Sequence, residues 1–570
     1  MSKGTKIFLA VIIFFMGLFL VAVITIGFKF SKSTPKVAEG SVVVFDISGD
    51  IPEVIPPDPF TQLFNKNMMS VHEITESIKY AATDDKVKAV IIRPYFPSIG
   101  WAKAQEIASA INEYRKSNKP LISYFEFGTN MDYYLASGAT KVYGAPTGML
   151  MLNGIMAEVP FFKGLLDKLG VEAEMQHVGD YKSYSDIFTR DNISDAHKEM
   201  ANWLLDSIQS QLVAQIQKSR NLSKEKVMEL INLGFFDNQK AVKEKLIDGT
   251  LYWDEIENQY AQGDKKKLMW AFSYYKSIKS ELKGRGSKIA LLYAIGSIES
   301  GKGQPGKSIG SDTLSSWIRE AYKDKDIKAI VMRVDSPGGS GIASDAIWRE
   351  VMNAKKAKKP FIVSMSDVAG SGGYYIAMGA DAIFAQKSTL TGSIGVITGK
   401  FYLNGLWEKL GIHIEVIKKA ENADLFSSTT HFTDTQKKII EENMNTFYKV
   451  FTEKAASGRK MTIEQIDARG RGRVWTGEQA KENHLIDAIG GLNDAIEYAK
   501  KMANISQKEK VTLVVYPKKK TLFEALMEME NFNDVFVPEK LKAYYQMEHM
   551  LTVFSREPYL AIMPPIRFSR

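Results

Sequence analysis

Two glycine-rich segments hold the residue types that acyl transfer needs. DSPGGS (Asp335–Ser340) follows an apolar β-branched run, and VAGSGGYY (Val368–Tyr375) follows FIVSM. Glycine-rich strand ends that enter helices can aim backbone N–H groups at one point, where they stabilise a tetrahedral oxyanion. A serine at the sharp turn of the second segment, Ser371, presents its hydroxyl there in the manner of a nucleophile elbow. Such a serine also needs a base. The seven histidines show no HExxH or similar ligand spacing, and Gly372–Lys400 contains none, against a Ser-His-Asp arrangement. His177, five residues before Lys182, is the one candidate for a classical triad, and it reads as structural or exposed.

The elements around these residues occur twice. Tyr133–Ala139 (YYLASGA) matches Tyr374–Ala380 (YYIAMGA) at five of seven positions, and Gly164–Gly170 matches Gly405–Gly411 equally well at the same offset of 241. VKAVIIRPYFP (Val87–Pro97) parallels IKAIVMRVDSP (Ile327–Pro337), and Leu246–Asp248 parallels Leu485–Asp487. Internal repetition fixes the organisation: an N-terminal anchor (1–40), copy one (41–258), a Lys-rich linker (259–287), copy two (288–500) and a tail (501–570). Short β-branched runs alternate with helical patterns in each copy, which predicts an α/β fold built from βαβ units. In the tail VTLVVYP predicts a strand, but no residue there suggests chemistry.

The copies differ in complementary ways. Where copy two has Gly338, Gly339 and Ser371, copy one has Ser98, Ile99 and Asn130. Where copy one has Lys182, in VGDYKSYSDIF, copy two has Ala423. One composite site at the interface between copies follows, with a lysine base whose pKa must fall from about 10.4 to near 7 by desolvation.

Composition narrows the chemistry. The chain has 570 residues, 45% hydrophobic and 25% charged, with no cysteine, so disulfides, thiol nucleophiles and Cys-based metal centres are out. Its net charge of +8 is largely local: five lysines and no acid lie within residues 1–38, leaving +3 for the rest, so no nucleic-acid groove is indicated. Ile7–Phe28 is an uncharged apolar run of 22 residues without a convincing cleavage site after it, which predicts an uncleaved membrane-spanning helix. Lysines flank it on both sides, so charge alone does not orient it.

DSPGG, GSGGYYIA and TGSIGV in copy two, with GDYKS in copy one, resemble the long, duplicated form of the signal peptide peptidase A family, also called protease IV. The resemblance spans roughly residues 41–500 and includes the anchor. It implies tandem ClpP/crotonase-like α/β domains, a homotetramer, and a Ser–Lys dyad degrading apolar peptides such as signal peptides left in the membrane. It also implies a bacterial inner-membrane location, single-pass, with the catalytic part on the extracytoplasmic side. Carried over by motif, Ser371 matches the nucleophile, Lys182 the base, the N–H groups of Gly339 and Gly372 the oxyanion hole, and Ser393 the residue that orients the lysine. Neither metal nor other cofactor is implied. An acyl-CoA enzyme of the crotonase type would need neither the serine nor the anchor, and a non-catalytic scaffold would leave Lys182 unexplained.

Overall fold

The computed structural model describes residues 35–55, 67–518, 557 and 559–568. The apolar run Ile7–Phe28 lies outside these residues; among the described residues no helix is long and apolar enough to cross a membrane.

The repeated runs become two sheets of the same plan. In the first half, β1 (Ser41–Asp50), β2 (Val87–Ser98), β3 (Leu121–Gly128) and β4 (Lys141–Leu152) pair in order. A further strand, β5 (Glu172–Val178), leaves this sheet, β6 (Gly234–Asp237) closes one edge beside β4, and β7 (Leu268–Trp270) closes the other beside β1. The second half repeats the scheme. Its strands are β8 (Lys288–Ile295), β9 (Ile327–Ser336), β10 (Gly338–Ser340), β11 (Phe361–Gly370), β12 (Leu390–Gly392), β13 (Val396–Tyr402), β14 (Val474–Thr476) and β15 (Thr512–Tyr516). Its main sheet runs β14-β12-β11-β9-β8-β15. The central pairings are parallel in both sheets, and the β4–β6 and β12–β14 edges are antiparallel.

Burial follows from that arrangement. Parallel strands covered on both faces carry continuous apolar runs rather than alternation, and Val42–Phe45 and Ala329–Val334 are buried without a break. The expected strand in VTLVVYP forms as β15, parallel to β8 with Ile289 opposite Leu513. Its counterpart in the first half is β7, parallel to β1, so the segment read as a linker supplies an edge strand and the helix Ala271–Leu282. Each half therefore draws a strand from beyond the segments that the sequence similarity marked.

The halves are joined by a buried charge cluster. Arg333 on β9 forms a two-pronged pair with Glu53 (2.8 and 2.9 Å) and also binds Glu106 at 2.7 Å, and all three are buried. Beside it Lys103 pairs with Asp335 at 2.9 Å and Asp367 at 3.5 Å. Burial pushes the Asp335 carboxyl up to about 6, against the pull of Lys103. Glu53, Lys103 and Glu106 belong to the first half and their partners to the second.

Candidate active site

Local chemistry sets the turn at Ser371. The strand β11 ends at Gly370, and Ser371 takes φ 54° and ψ −110° before the helix Gly372–Ala377. Such a conformation costs on the order of 1–3 kcal/mol for a residue with a side chain. It is held by the Ser371 N–H donating to the Gly392 carbonyl (2.7 Å) and by the Ser371 carbonyl accepting from Tyr375 N–H (2.8 Å). β10 brings the second glycine segment alongside. A Cβ added to Gly338 would stand 2.7 Å from the Gly372 nitrogen, so only glycine allows this approach.

The lysine arrives from the other half. β5 leaves its own sheet and pairs antiparallel with β13, from Val178 opposite Val396 to Glu172 opposite Tyr402. The chain then turns at Gly179, Tyr181 N–H donates to the Arg471 carbonyl (2.9 Å), and Lys182 points into the second half. Its Nζ lies 2.6 Å from Ser371 Oγ, 2.9 Å from Ser393 Oγ and 2.9 Å from the Ser393 carbonyl oxygen. Lys182, Ser371 and Ser393 are each 0% exposed. Burial, with no nearby carboxylate to offset it, pushes the lysine well below its ordinary range. A neutral amine has two N–H donors and one lone pair. Two donors to Ser393 would leave that lone pair for the serine hydroxyl; an ammonium's three donors would match the same three oxygens, and it is burial that favours the uncharged form.

Three of the five expected residues, Ser371, Lys182 and Ser393, thus meet at one nitrogen, and the glycines flank them. The corresponding place in the first half is closed. Asn130 bonds to Asn153 (2.9 Å) and exchanges two bonds with Gly154 (3.0 and 3.1 Å), and Ile99 is buried. Ala423, the counterpart of Lys182, is exposed, as is His177, whose Nδ1 lies 3.0 Å from the Gly179 carbonyl oxygen.

Sequence reasoning missed the residues that seat the lysine loop. Gly472, at φ +86°, has no room for a Cβ, which would lie 2.2 Å from the Lys182 backbone nitrogen. Gly472→Ala is expected to displace the loop and lower kcat about a hundredfold, the scale of a 1 Å misplacement, with KM little changed. Gly411→Ala is the control, since its Cβ meets nothing within 4 Å although φ is similar at +74°. Equal kinetics for the two variants would contradict this role for Gly472.

With this geometry in view, the relatives are informative. Residues 113–267 and 353–506 each match peptidase family S49. The chloroplastic serine protease SPPA of Arabidopsis thaliana is 35% identical over 497 residues, covering 85% of this chain and 72% of that protein. Protease 4 of Salmonella typhi is 31% identical over 560 residues, covering 93% and 89%. Among solved structures, ClpP1 from Listeria monocytogenes aligns over 36% of this chain and 93% of its own at 16% identity, with a TM-score of 0.22. A serine set against a buried basic group, in a chain that carries the same family's signature in both halves, leaves one assignment: this is a serine protease belonging to peptidase family S49.

Proposed function

We propose that this protease is a membrane-anchored endopeptidase working through a Ser371–Lys182 dyad shared between its halves, with apolar peptides such as cleaved signal peptides as substrates. The observation that carries the reading is the 2.6 Å contact between a buried lysine and a buried serine. The Lys182 lone pair takes the Ser371 proton, and the serine oxygen attacks the peptide carbonyl. The N–H groups of Gly339 and Gly372 receive the negative charge as it develops. Lys182 then protonates the leaving amine and afterwards activates the water that frees the acyl group. Ser393 holds the amine in place throughout. Anchoring by Ile7–Phe28 would keep the site near the bilayer where such peptides accumulate. The resemblance to long-form signal peptide peptidase A supports a homotetramer and an extracytoplasmic face, and the kinship with bacterial Protease 4 supports a membrane-associated bacterial protein.

The sign of the pH dependence tests this reading. Lysine acts as base only when unprotonated, so kcat/KM on a chromogenic apolar peptide should fall as pH drops through the lowered Lys182 pKa and level off above it. Ser371→Ala should abolish turnover at every pH. Wild-type rates in Ser371→Ala, or a wild-type profile that rises toward acid, would overturn the dyad.

A further inference from the structure

A second lysine of the first half reaches the two strands that carry the glycine segments. Lys103 lies in the first turn of the helix Trp101–Arg115, and its Nζ stands 2.9 Å from Asp335 Oδ2 and 3.5 Å from Asp367 Oδ2. Asp335 is near the end of β9, three residues before Gly338 and four before Gly339. Asp367 is near the end of β11, four residues before Ser371 and five before Gly372. The backbone at the start of the same helix binds Asp367 as well: Gly100 N–H donates to Oδ2 at 3.0 Å and Lys103 N–H to Oδ1 at 2.9 Å. A helix start leaves N–H groups without partners and favours a negative charge, and here the carboxylate of the other half supplies both.

The two carboxylates meet where the pairing of the strands is irregular. The parallel ladder of β9 and β11 shifts register between Val334 and Ser336, and across that break Val368 N–H donates to Asp335 Oδ1 at 3.1 Å. Just beyond, Gly338 N–H donates to Ser336 Oγ at 3.2 Å. The side chains are only 13% exposed for Lys103, 15% for Asp335 and 16% for Asp367, so salt screens their attraction little. The alignment of copies also repeats the pattern of Lys182 and Ser371. Where copy two has Asp335, copy one has an exposed Tyr95, and where copy one has Lys103, copy two has a buried Ala343. Each half keeps one member of the pair and lacks the other.

We propose that Lys103 is a positioning residue for the peptidase reaction: from the first half, through Asp335 and Asp367, it fixes the ends of β9 and β11 so that the Gly339 and Gly372 N–H groups point at the reacting carbonyl. The inference rests on the dyad and oxyanion reading above. The Lys103 amine is engaged by the two carboxylates and moves no proton in the reaction. Its effect comes through donor placement, since an oxyanion donor works only within hydrogen-bond reach of the charge as it develops, and losing one costs about 10²–10³ in kcat. An interaction made only in the transition state shows in kcat and not in KM.

Hydrolysis of a chromogenic apolar peptide by the full chain, counted per serine titrated with a fluorophosphonate, tests this. Lys103→Met leaves the two carboxylates facing each other and should lower kcat per titrated site about a hundredfold, with KM little changed. Lys103→Arg keeps the charge and can fork between both carboxylates, so it should recover most of that loss. Gly100→Ala breaks the same tie with the lysine in place. Its backbone, at φ −81°, accepts alanine, yet the new Cβ would stand 2.4, 2.5 and 2.6 Å from the Asp367 carboxylate atoms, a side-chain end that can swing away. It too should lower kcat, while its urea midpoint stays close to that of wild type. Wild-type kcat per titrated site in either Lys103→Met or Gly100→Ala would overturn the inference and leave the dyad standing. So would a loss confined to KM or to the number of titratable sites. A wild type that cuts no peptide, or that Ser371→Ala does not inactivate, would overturn the dyad and this inference with it.

Discussion

Replacing Lys182 by methionine is expected to lower kcat by roughly 10²–10⁴-fold, the usual worth of a positioned general base, while leaving the fold at least as stable. Methionine has nearly the volume of lysine without the amine, and the site already holds that amine away from water, 0% exposed. The stability side has its own sign. In the unfolded chain Lys182 titrates near its ordinary 10.5, and in the folded chain burial lowers it well below that. Between those two values the unfolded state binds the extra proton. Wild-type stability should therefore rise with pH across that window, and Lys182→Met should lose that part of the slope. Adding Ser371→Ala to Lys182→Met should cost little beyond the worse single variant, because the pair acts as a unit. Urea unfolding at several pH values, alongside hydrolysis of an apolar peptide, checks both halves of the statement. Wild-type turnover in Lys182→Met would place the base elsewhere.

Arg333→Met should have the largest effect on stability. It strands the Glu53 and Glu106 carboxylates in the joint between halves, and breaking a buried pair from one side typically costs about 3–5 kcal/mol. Burial alone would raise the Glu53 carboxyl, yet Arg333 and Lys103 hold it at about 2. A depressed carboxyl contributes stability that is fully present above its ordinary value of 4.5 and is lost as pH falls toward 2. The variant should thus show a much lower urea midpoint at neutral pH and a weaker acid dependence than wild type between those values. An unchanged midpoint would mean that the carboxylates find water or protons at little cost.

The duplication was legible because sequence similarity survives in local motifs, and the candidate site residues were marked by what each copy lacks together with the family resemblance. Ser371 and the two glycine segments stand out in copy two, and Lys182 stands out as a lysine facing Ala423 in the alignment of copies. What stayed hidden depends on pairing at long range. Nothing in EAEMQHV marks β5 for the other half's sheet, since a strand's own residues do not name its neighbour. Arg333 reads as one more strand-end arginine until Glu53, 280 positions away, closes on it. The three residues of the tail strand Leu560–Ile562 are too few for any periodicity. Hence VTLVVYP was recognisable as a strand, while the shorter one in the tail was not.

The closed place around Asn130 has a historical consequence. Restoring serine there would not recover a second site: Asn130 begins a helix capped by Thr129, whereas Ser371 sits at φ 54°, and Ser98 and Ile99 stand where the glycines would be needed. Several changes would have to arrive together before any one was useful. On the dyad reading neither half could work without the other, because Lys182 belongs to one and Ser371 to the other.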